Sequence, residues 1–260
     1  MSFWRNRQLI LQFIKRDISS KYKGSYLGKI WSILTPLFML AIYTFVFSVV
    51  FQAKWNVNTD NKLDFAFIIF SGMIAFNVFS DVILRAPNLI ISNVNFVKKI
   101  VFPLEILVVV VMGSSLFLAG INSLILIIGQ FILNGVIQWT VVLLPVVMLP
   151  LILITLGLGW FIASLGTYYR DISHVIGLIV SALMFMSPIF YPVSNIPEGL
   201  KGLYSLNPIS HIVEDMRRVL VFGQMPNWEW IFFGSILGLV VSFLGLKWFN
   251  KTRGGFADVL

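Results

Sequence analysis

The residues that could do chemistry in this sequence are few and lie far apart. Asp81 and Glu105 are the only plausible pair of carboxyl groups for a membrane-embedded transferase, in which one acts as acid and the other as base. His174 and His211 are the sole histidines, too few and too isolated for a metal cluster. The chain has no cysteine, which excludes disulfides and thiolate chemistry.

The sequence also lacks motifs for binding ATP or for coupling to an ion gradient. A nucleotide-binding phosphate loop reads G-x-x-x-x-G-K-[ST], but here Gly28-Lys29 is followed by Ile30. No G-x-S-x-G nucleophile elbow occurs. Ion-coupled carriers place an ionisable group at mid-membrane, whereas Asp81 and Glu105 fall at the ends of predicted spans. We therefore expect the driving force to come from a partner.

The elements around these residues are predicted from composition. Hydrophobic residues make up 58% and charged residues 12% of the 260 residues, with a mean hydropathy of +0.91; soluble domains are about 25% charged. Crossing a hydrocarbon core of about 30 Å takes about 20 helical residues. The sequence thus predicts an all-α integral membrane protein with six transmembrane helices. The predicted spans are residues 30–53, 64–84, 103–133, 139–165, 174–193 and 228–249.

Residues 1–29 predict an N-terminal amphipathic helix at the cytoplasmic interface. Ile10, Ile14, Ile18 and Tyr22 recur every four residues among basic side chains. This segment is too polar for a cleaved signal peptide, so the first span is expected to be a permanent anchor. The interface helix is either a lipid-surface anchor or a helix that also touches a cytoplasmic partner.

Orientation follows from the basic residues. With the N-terminus inside, the inner segments hold seven, three, one and three of the nineteen Lys and Arg residues. Both termini are therefore expected in the cytoplasm. Arg217 and Arg218 fit poorly on the outer side, although Glu214 and Asp215 lie beside them. The basic balance is explained by topology and anionic lipid, and no nucleic acid is expected as a partner.

Two segments are too elaborate for simple connections. The predicted inner loop at 85–103 mixes amides, apolar residues and two lysines, which favours a short helix docked on a cytoplasmic partner; contact with lipid headgroups is the alternative. Residues 194–227 follow a proline-broken apolar stretch and predict re-entrant outer helices between spans five and six, with an ordinary surface loop as the alternative. Asp171, next to Arg170, is expected to cap the fifth span.

Four further stretches, together with RDISSKYKGSYLGKIWSILTPL from Arg16, support a family resemblance. They are YYRDI (168–172), SPIFYPVSNIP (187–197), LNPISHIVEDMR (206–217) and GGFADVL (254–260). In this order they resemble permease subunits of polysaccharide-exporting ABC transporters, which export O-antigen, capsule or teichoic acid. The resemblance makes residues 1–260 a single transmembrane permease domain. The compact form and the closing FADVL favour the O-antigen exporters.

The resemblance implies a homodimer in the bacterial inner membrane with two copies of a cytoplasmic ABC ATPase. ATP and Mg are expected on that ATPase, with no cofactor in this chain. The implied cargo is a polysaccharide linked to undecaprenyl diphosphate, with O-antigen favoured and capsule or teichoic acid as alternatives. An ion-coupled carrier and a transferase for lipid-linked sugars are the rival functions. Membrane lipids are further expected partners.

The resemblance also assigns two sets of site residues. The ATPase-coupling set lies in the interface helix, the inner loop and the start of the fifth span: Arg16, Asp17, Arg85, Asn88, Asn95, Lys98, Lys99, Arg170 and Asp171. The substrate path and gate set consists of aromatic residues whose rings could support sugars: Trp31, Tyr43, Phe76, Phe185, Phe190 and Tyr191.

Overall fold

A computed structural model describes residues 4–50, 62–98 and 102–260. Within these ranges the protein is entirely helical. Its α-helices are α1 (Arg7–Lys21), α2 (Trp31–Tyr43), α3 (Lys62–Leu89), α4 (Val94–Lys98), α5 (Ile106–Asn134), α6 (Leu144–Tyr168), α7 (Ile172–Met186), α8 (Lys201–Leu206), α9 (Pro208–Arg217), α10 (Trp228–Thr252) and α11 (Phe256–Val259). Helix α2 continues through π-helical turns at Thr44–Val50.

Five helical segments are long and apolar enough to cross a membrane. They are Gly28–Phe47, Asp64–Leu89, Ile106–Asn134, Trp139–Tyr168 and Trp228–Val259. The predicted fifth span, 174–193, corresponds to α7, whose 15 residues extend about 22 Å. Its predicted end is wrong because Ser187 precedes Pro188 and adopts an extended backbone (φ −91°, ψ 146°), as the steric demand of a following proline requires.

Helix α3 forms the centre of the bundle and packs on α5, α6, α7 and α9. It was predicted to end at residue 84 but continues to Leu89 with Pro87 inside the helix. Gly166 of α6 lies directly against this last turn. A Cβ atom on Gly166 would come within 2.3 Å of the Pro87 carbonyl oxygen. The absence of a side chain therefore lets the two helix backbones approach each other here.

Helices α6 and α10 pack through small residues, as the four-residue spacing of Gly234, Gly238 and Ser242 indicates. The Ser242 hydroxyl donates to the Leu153 carbonyl over 2.6 Å, and Gly238 is buried. The stripe extends one step further than expected. A Cβ on Gly245 would lie 2.1 Å from the Gly157 carbonyl oxygen. The prediction of close helix packing is confirmed.

Glycines with left-handed backbones end α5 and form the turns between α1 and α2. Gly135 (φ 69°) closes α5 directly after Asn134, which confirms the predicted turn between spans three and four. Gly24 (φ 85°) and Gly28 (φ 53°) separate α1 from α2. The interface helix itself is shorter than residues 1–29, because it ends at Lys21 before these turns.

Helix α9 is packed inside the bundle end formed by α3 and α6. Ile212, Val213 and Met216 on it are all buried. The Asn207 side chain accepts a hydrogen bond of 3.0 Å from the Ile209 amide, and Pro208 occupies the first helical position. These are standard helix-start signals. The segment 194–227 thus contains two short α-helices, of which α9 packs back into the bundle.

Candidate functional site

Four charged side chains fasten the interface helix α1 to the central helix α3. Arg85 donates to both carboxylate oxygens of Asp17, at 3.1 and 2.5 Å. Lys21 donates to Asp81 at 2.9 Å, and Arg85 lies 3.6 Å from Asp81. Because each helix carries its acid and base four residues apart, the pairs stand on one face. We call these four residues the α1–α3 ionic cluster.

Helix α5 contacts both the ionic cluster and α1. The Ser115 hydroxyl donates to Asp81 over 2.5 Å. Burial disfavours the charge on Asp17, but the hydrogen bonds and charge of Arg85 outweigh it and keep the pKa of Asp17 below its usual value. Ile14 of α1 packs against Gly113 of α5. A Cβ atom on Gly113 would lie 2.3 Å from the Ile14 Cδ1 atom. Helix α1 is therefore fixed by both charge and close packing.

Aromatic rings connect α1 to the segment that contains α4. Phe96 stacks on Phe102 with ring centroids 4.5 Å apart. Phe13 of α1 contacts both rings, at 5.6 and 5.4 Å, and the Arg16 guanidinium lies 5.7 Å from the Phe13 ring. A displacement of α4 would thus be passed to α1 through packed rings. The prediction of a short helix in the 85–103 segment is confirmed.

The remaining coupling candidates are solvent-exposed at the same end of the bundle. They are Arg16, Asn88, Asn95, Lys98, Arg170 and Asp171. Lys99 lies outside the described residues. The expected cap is wrong in one respect: Asp171 occupies the N-cap position of α7, but its side chain makes no capping hydrogen bond. Its backbone is already helical (φ −68°, ψ −15°), whereas a side-chain cap normally needs an extended residue.

A polar groove of about 360 Å³ leads from the ionic cluster along α3 and α5. Lys21, Asp81 and Ser115 line one part of it, and Asn77 and Asn122 line another. Asn77 is exposed close to the middle of α3. A polar side chain at such a depth normally faces a partner or a water-filled path. These amides were not among the residues predicted from the sequence, although an Asn inside an otherwise apolar run was the available signal.

Three of the predicted path residues form an aromatic cluster at the opposite end of the bundle. Phe190 stacks on Phe47 with centroids 5.6 Å apart and lies 6.2 Å from Phe185. Tyr191 donates its hydroxyl hydrogen to the Phe185 carbonyl over 2.9 Å. Phe47 also contacts Phe65 at the start of α3. This cluster joins α2, α3 and the segment that follows α7.

The other three predicted path residues lie at other positions of α2 and α3. Trp31, 37% exposed, begins α2, and Tyr43 ends it. Phe76 is 3% exposed and packs beside Phe79 with centroids 6.3 Å apart, which is a core position. The structure therefore does not bring the six aromatic residues to one place. Their contact with sugar stays a prediction.

Arg217 is the residue whose environment the sequence analysis did not anticipate. Its side chain is fully buried and donates to the carbonyls of Ile68 and Ile189, at 3.2 and 2.6 Å. A third contact reaches Glu214 at 3.3 Å. Burial lowers the pKa of Arg217 to about 10, so the group stays charged at neutral pH. It joins α9 to α3 and to the segment after α7.

Asp81 and Glu105, considered above as a catalytic pair, are held in separate places. Asp81 belongs to the ionic cluster, whereas Glu105 is buried and faces Arg253 at 3.4 Å. The Glu105 backbone carbonyl accepts from the Trp160 indole at 2.9 Å. Among the described contacts, the two carboxylates have no partner in common. Both geometries are those of structural ion pairs.

The fold and these contacts define a polytopic helical membrane protein with charged and polar side chains gathered at one end. Comparison with known families identifies it further: the ABC-2 type transporter family profile matches residues 8–221, and the chain belongs to this family. Proteins of this family are transport subunits whose ATPase is a separate partner.

Relatives cover nearly the whole chain. The O-antigen export system permease protein RfbA of Klebsiella pneumoniae is 25% identical over 254 residues, 97% of this chain and 95% of the relative. RfbA of Myxococcus xanthus is 24% identical over 98% of this chain and 96% of its own length. The polysialic acid transport protein KpsM of Escherichia coli is 23% identical, over 92% and 90% respectively.

Proposed function

We propose that this chain is the transmembrane subunit of an ATP-driven exporter that moves lipid-linked polysaccharide across the bacterial inner membrane. The observation that carries the proposal is full-length similarity to O-antigen permeases. Undecaprenyl-diphosphate-linked O-antigen is the favoured cargo. Capsule is the second candidate, because a capsule polysaccharide export protein of Neisseria meningitidis is also similar, at 22% identity over 261 residues. Teichoic acid, moved by the same mechanism, is a further alternative cargo.

The α1 end is proposed to face the cytoplasm and to receive the ATPase. The basic residues favour this orientation, and the exposed polar residues of α1, α4 and the α7 start lie on this surface. In the proposed mechanism the ATPase moves α4, and the Phe13–Phe96–Phe102 rings pass that motion to α1. The α1–α3 ionic cluster then transmits it to the centre of the bundle.

A second copy of the chain is proposed to cover the least buried helices. Within the described helices, Pro36 is the sole buried residue of α2 and Val180 that of α7. A homodimer with two ATPases would enclose the path between the copies. The groove at Asn77 and Asn122 supports this arrangement, because such amides need a polar surrounding at membrane depth. Helices α8 and α9 would re-enter the outer leaflet and gate the exit.

Family membership favours this function over the two rivals. An ion-coupled carrier would need a titratable site at mid-membrane, and a transferase would need Asp81 and Glu105 to act together. Export that requires ATP hydrolysis by the partner would exclude the carrier. Export that survives replacement of both carboxylates by amides, in a complex that still assembles, would exclude the transferase.

The decisive experiment is removal of this chain from cells that make the glycan. We expect surface polysaccharide to disappear and its lipid-linked precursor to accumulate on the cytoplasmic side. Unchanged surface polysaccharide would refute the proposed function. Reintroducing the chain with an inactive ATPase should fail to restore export.

The docking surface can be tested separately by replacing Lys98 and Lys99 with Glu. Reversal of these two charges should reduce co-purification of the ATPase severalfold, because electrostatic complementarity contributes to association. Lys201→Glu at the opposite end, also exposed, is the matched control. Equal recovery of the ATPase with all three proteins, together with unchanged export, would remove these lysines from the coupling surface.

A further inference from the structure

A second polar cavity lies at the α8–α9 end, away from the ionic cluster and the groove. It has a volume of about 230 Å³. Its wall is formed by residues of α8, α9 and the two segments that flank them: Tyr204, His211, Glu214, Asp215, Arg218 and Asn227. An apolar cavity of about 150 Å³ holds benzene. The α8–α9 cavity therefore has room for one six-membered ring with its substituents.

The charges around this cavity cancel. Glu214 is paired with the buried Arg217 at 3.3 Å, and Asp215 faces Arg218 at 3.9 Å. An anion would meet two carboxylates, and a cation would meet the Arg218 guanidinium and carboxylates that already have a basic partner. Among the described residues no group of His, Asp and Glu side chains has the arrangement of a metal site. The expected ligand is therefore an uncharged molecule.

The wall of the α8–α9 cavity offers both hydrogen-bond donors and hydrogen-bond acceptors to a ligand. The Asp215 Oδ1 atom accepts from the Asn227 amide at 2.9 Å, and the Asn227 Oδ1 atom accepts from the Trp230 amide at 3.1 Å. These contacts leave the second Asp215 oxygen and the Asn227 amide hydrogens available. The Arg218 guanidinium adds donors at a half-exposed position. Adjacent hydroxyl groups, which both donate and accept, match such a set.

Aromatic rings form the remaining part of the wall. His211 is stacked on Trp230 with centroids 4.1 Å apart, and its Nε2 atom lies 2.9 Å from the Ser205 carbonyl. Tyr204 lies 6.2 Å from the His211 ring. These contacts hold the imidazole in place. A fixed ring edge beside polar groups suits a ligand that has both C–H faces and hydroxyls.

From this combination we propose that the α8–α9 cavity binds one pyranose unit of the exported glycan as it leaves the membrane. The proposal rests on the proposed function for the orientation and the cargo. A sugar held here would prevent the chain from sliding back between ATP-driven steps. Tyr204 would contact the sugar ring, and Arg218 and Asn227 would donate to its hydroxyls.

The test uses the complete complex of this chain and its ATPase in lipid nanodiscs. Saturation-transfer NMR is recorded with methyl pyranosides of glucose, galactose, mannose, rhamnose and N-acetylglucosamine. We expect at least one of them to bind, and Tyr204→Leu and Arg218→Gln each to weaken binding about tenfold, the effect of about 1.4 kcal/mol. Tyr204→Phe, which keeps the ring, should bind more tightly than Tyr204→Leu. Trp228→Leu, an exposed aromatic outside the cavity, should bind as the parent does.

Two results would overturn the proposal. One is the absence of signal from every methyl pyranoside; the other is equal binding by the parent, Tyr204→Leu and Arg218→Gln. Surface glycan is measured in the same strains to separate this proposal from the proposed function. If the parent exports glycan but either result is obtained, the sugar site is wrong and the exporter stands. If deleting the chain leaves surface glycan unchanged, the exporter itself is wrong.

Discussion

At the α1 end, charged side chains pair across helices at partly exposed positions, whereas at the α9 end a single guanidinium is sealed inside the protein. The Asp17 and Arg85 side chains are 17% and 31% exposed. Arg217 is 0% exposed and holds two backbone carbonyls in addition to a carboxylate. The first arrangement can exchange partners with water, and the second cannot.

We call the α1 end compliant and the α9 end firm, because the free-energy cost of disturbing their charged contacts differs. Ion pairs at partly exposed positions contribute about 1 kcal/mol, so the ionic cluster can rearrange at small cost while it still links α1 to α3 when a partner pushes α1. Removing one member of a buried pair costs about 3–5 kcal/mol. Helix α9 should therefore move as a unit with its neighbours or remain in place. Such a combination suits a protein that receives motion at one end and gates passage at the other.

The strongest test of the firm end is Arg217→Met. Methionine fills much of the space but donates to neither Ile68 nor Ile189. We expect the free energy of unfolding to fall by about 3 kcal/mol or more, which is measured as a lower thermal midpoint in detergent. Arg170→Met, at an exposed position, is the control and should cost less than about 1 kcal/mol. Equal losses would show that burial does not distinguish the two arginines.

A second test uses the pH dependence of Asp215. Burial raises the pKa of this carboxyl to about 6 from an ordinary 3.8, although the Asn227 amide and Arg218 oppose the shift. A raised acid pKa means that the protonated form favours folding. This contribution is therefore complete below pH 3.8 and is lost as the pH rises through about 6.

Asp215→Asn should remove that loss, because an amide still accepts from Asn227 but does not ionise. We expect equal stabilities in acid and a variant more stable by up to about 3 kcal/mol at neutral pH. Unfolding midpoints recorded across this range supply the measurement. Glu198→Gln, at an exposed position, should show no comparable trend. Parallel curves for Asp215→Asn and the parent would mean that Asp215 already ionises freely.

The sequence predicts those features that depend on local chemistry. Apolar run lengths predicted the five long apolar helices, Gly135 predicted a turn, and Gly234, Gly238 and Ser242 predicted a close helix contact. Each of these depends on residues within one or two turns of one another, or on how lipid tolerates a side chain. Helix ends were less well predicted: Pro87 lies within α3, whereas Pro188 comes just after α7 has ended.

Contacts between distant residues could not be predicted. Asp17 and Arg85 are 68 positions apart, and hydropathy does not say which helices become neighbours. Arg217 was noticed only as an awkward outer charge, since a basic residue beside two acids has the same sequence signature whether it is exposed or buried. Its environment depends on α9 folding back against α3. Asn77 and Asn122 were similarly hidden by the apolar runs around them.

The smallest effect on stability is expected at the Asp17–Arg85 pair, which tests the difference between the α1 and α9 ends directly. Asp17→Asn and Arg85→Gln should each lower the free energy of unfolding by about 1 kcal/mol. The double variant should lose less than the sum, since the pair interacts directly. Export per ATP hydrolysed should nevertheless fall, because α1 would move without carrying α3. Lys15→Gln, exposed on the same helix, controls for charge alone. If either single variant destabilised the protein as much as Arg217→Met, α1 would be fastened as firmly as α9, and motion at the ATPase end would have to enter the bundle by another route.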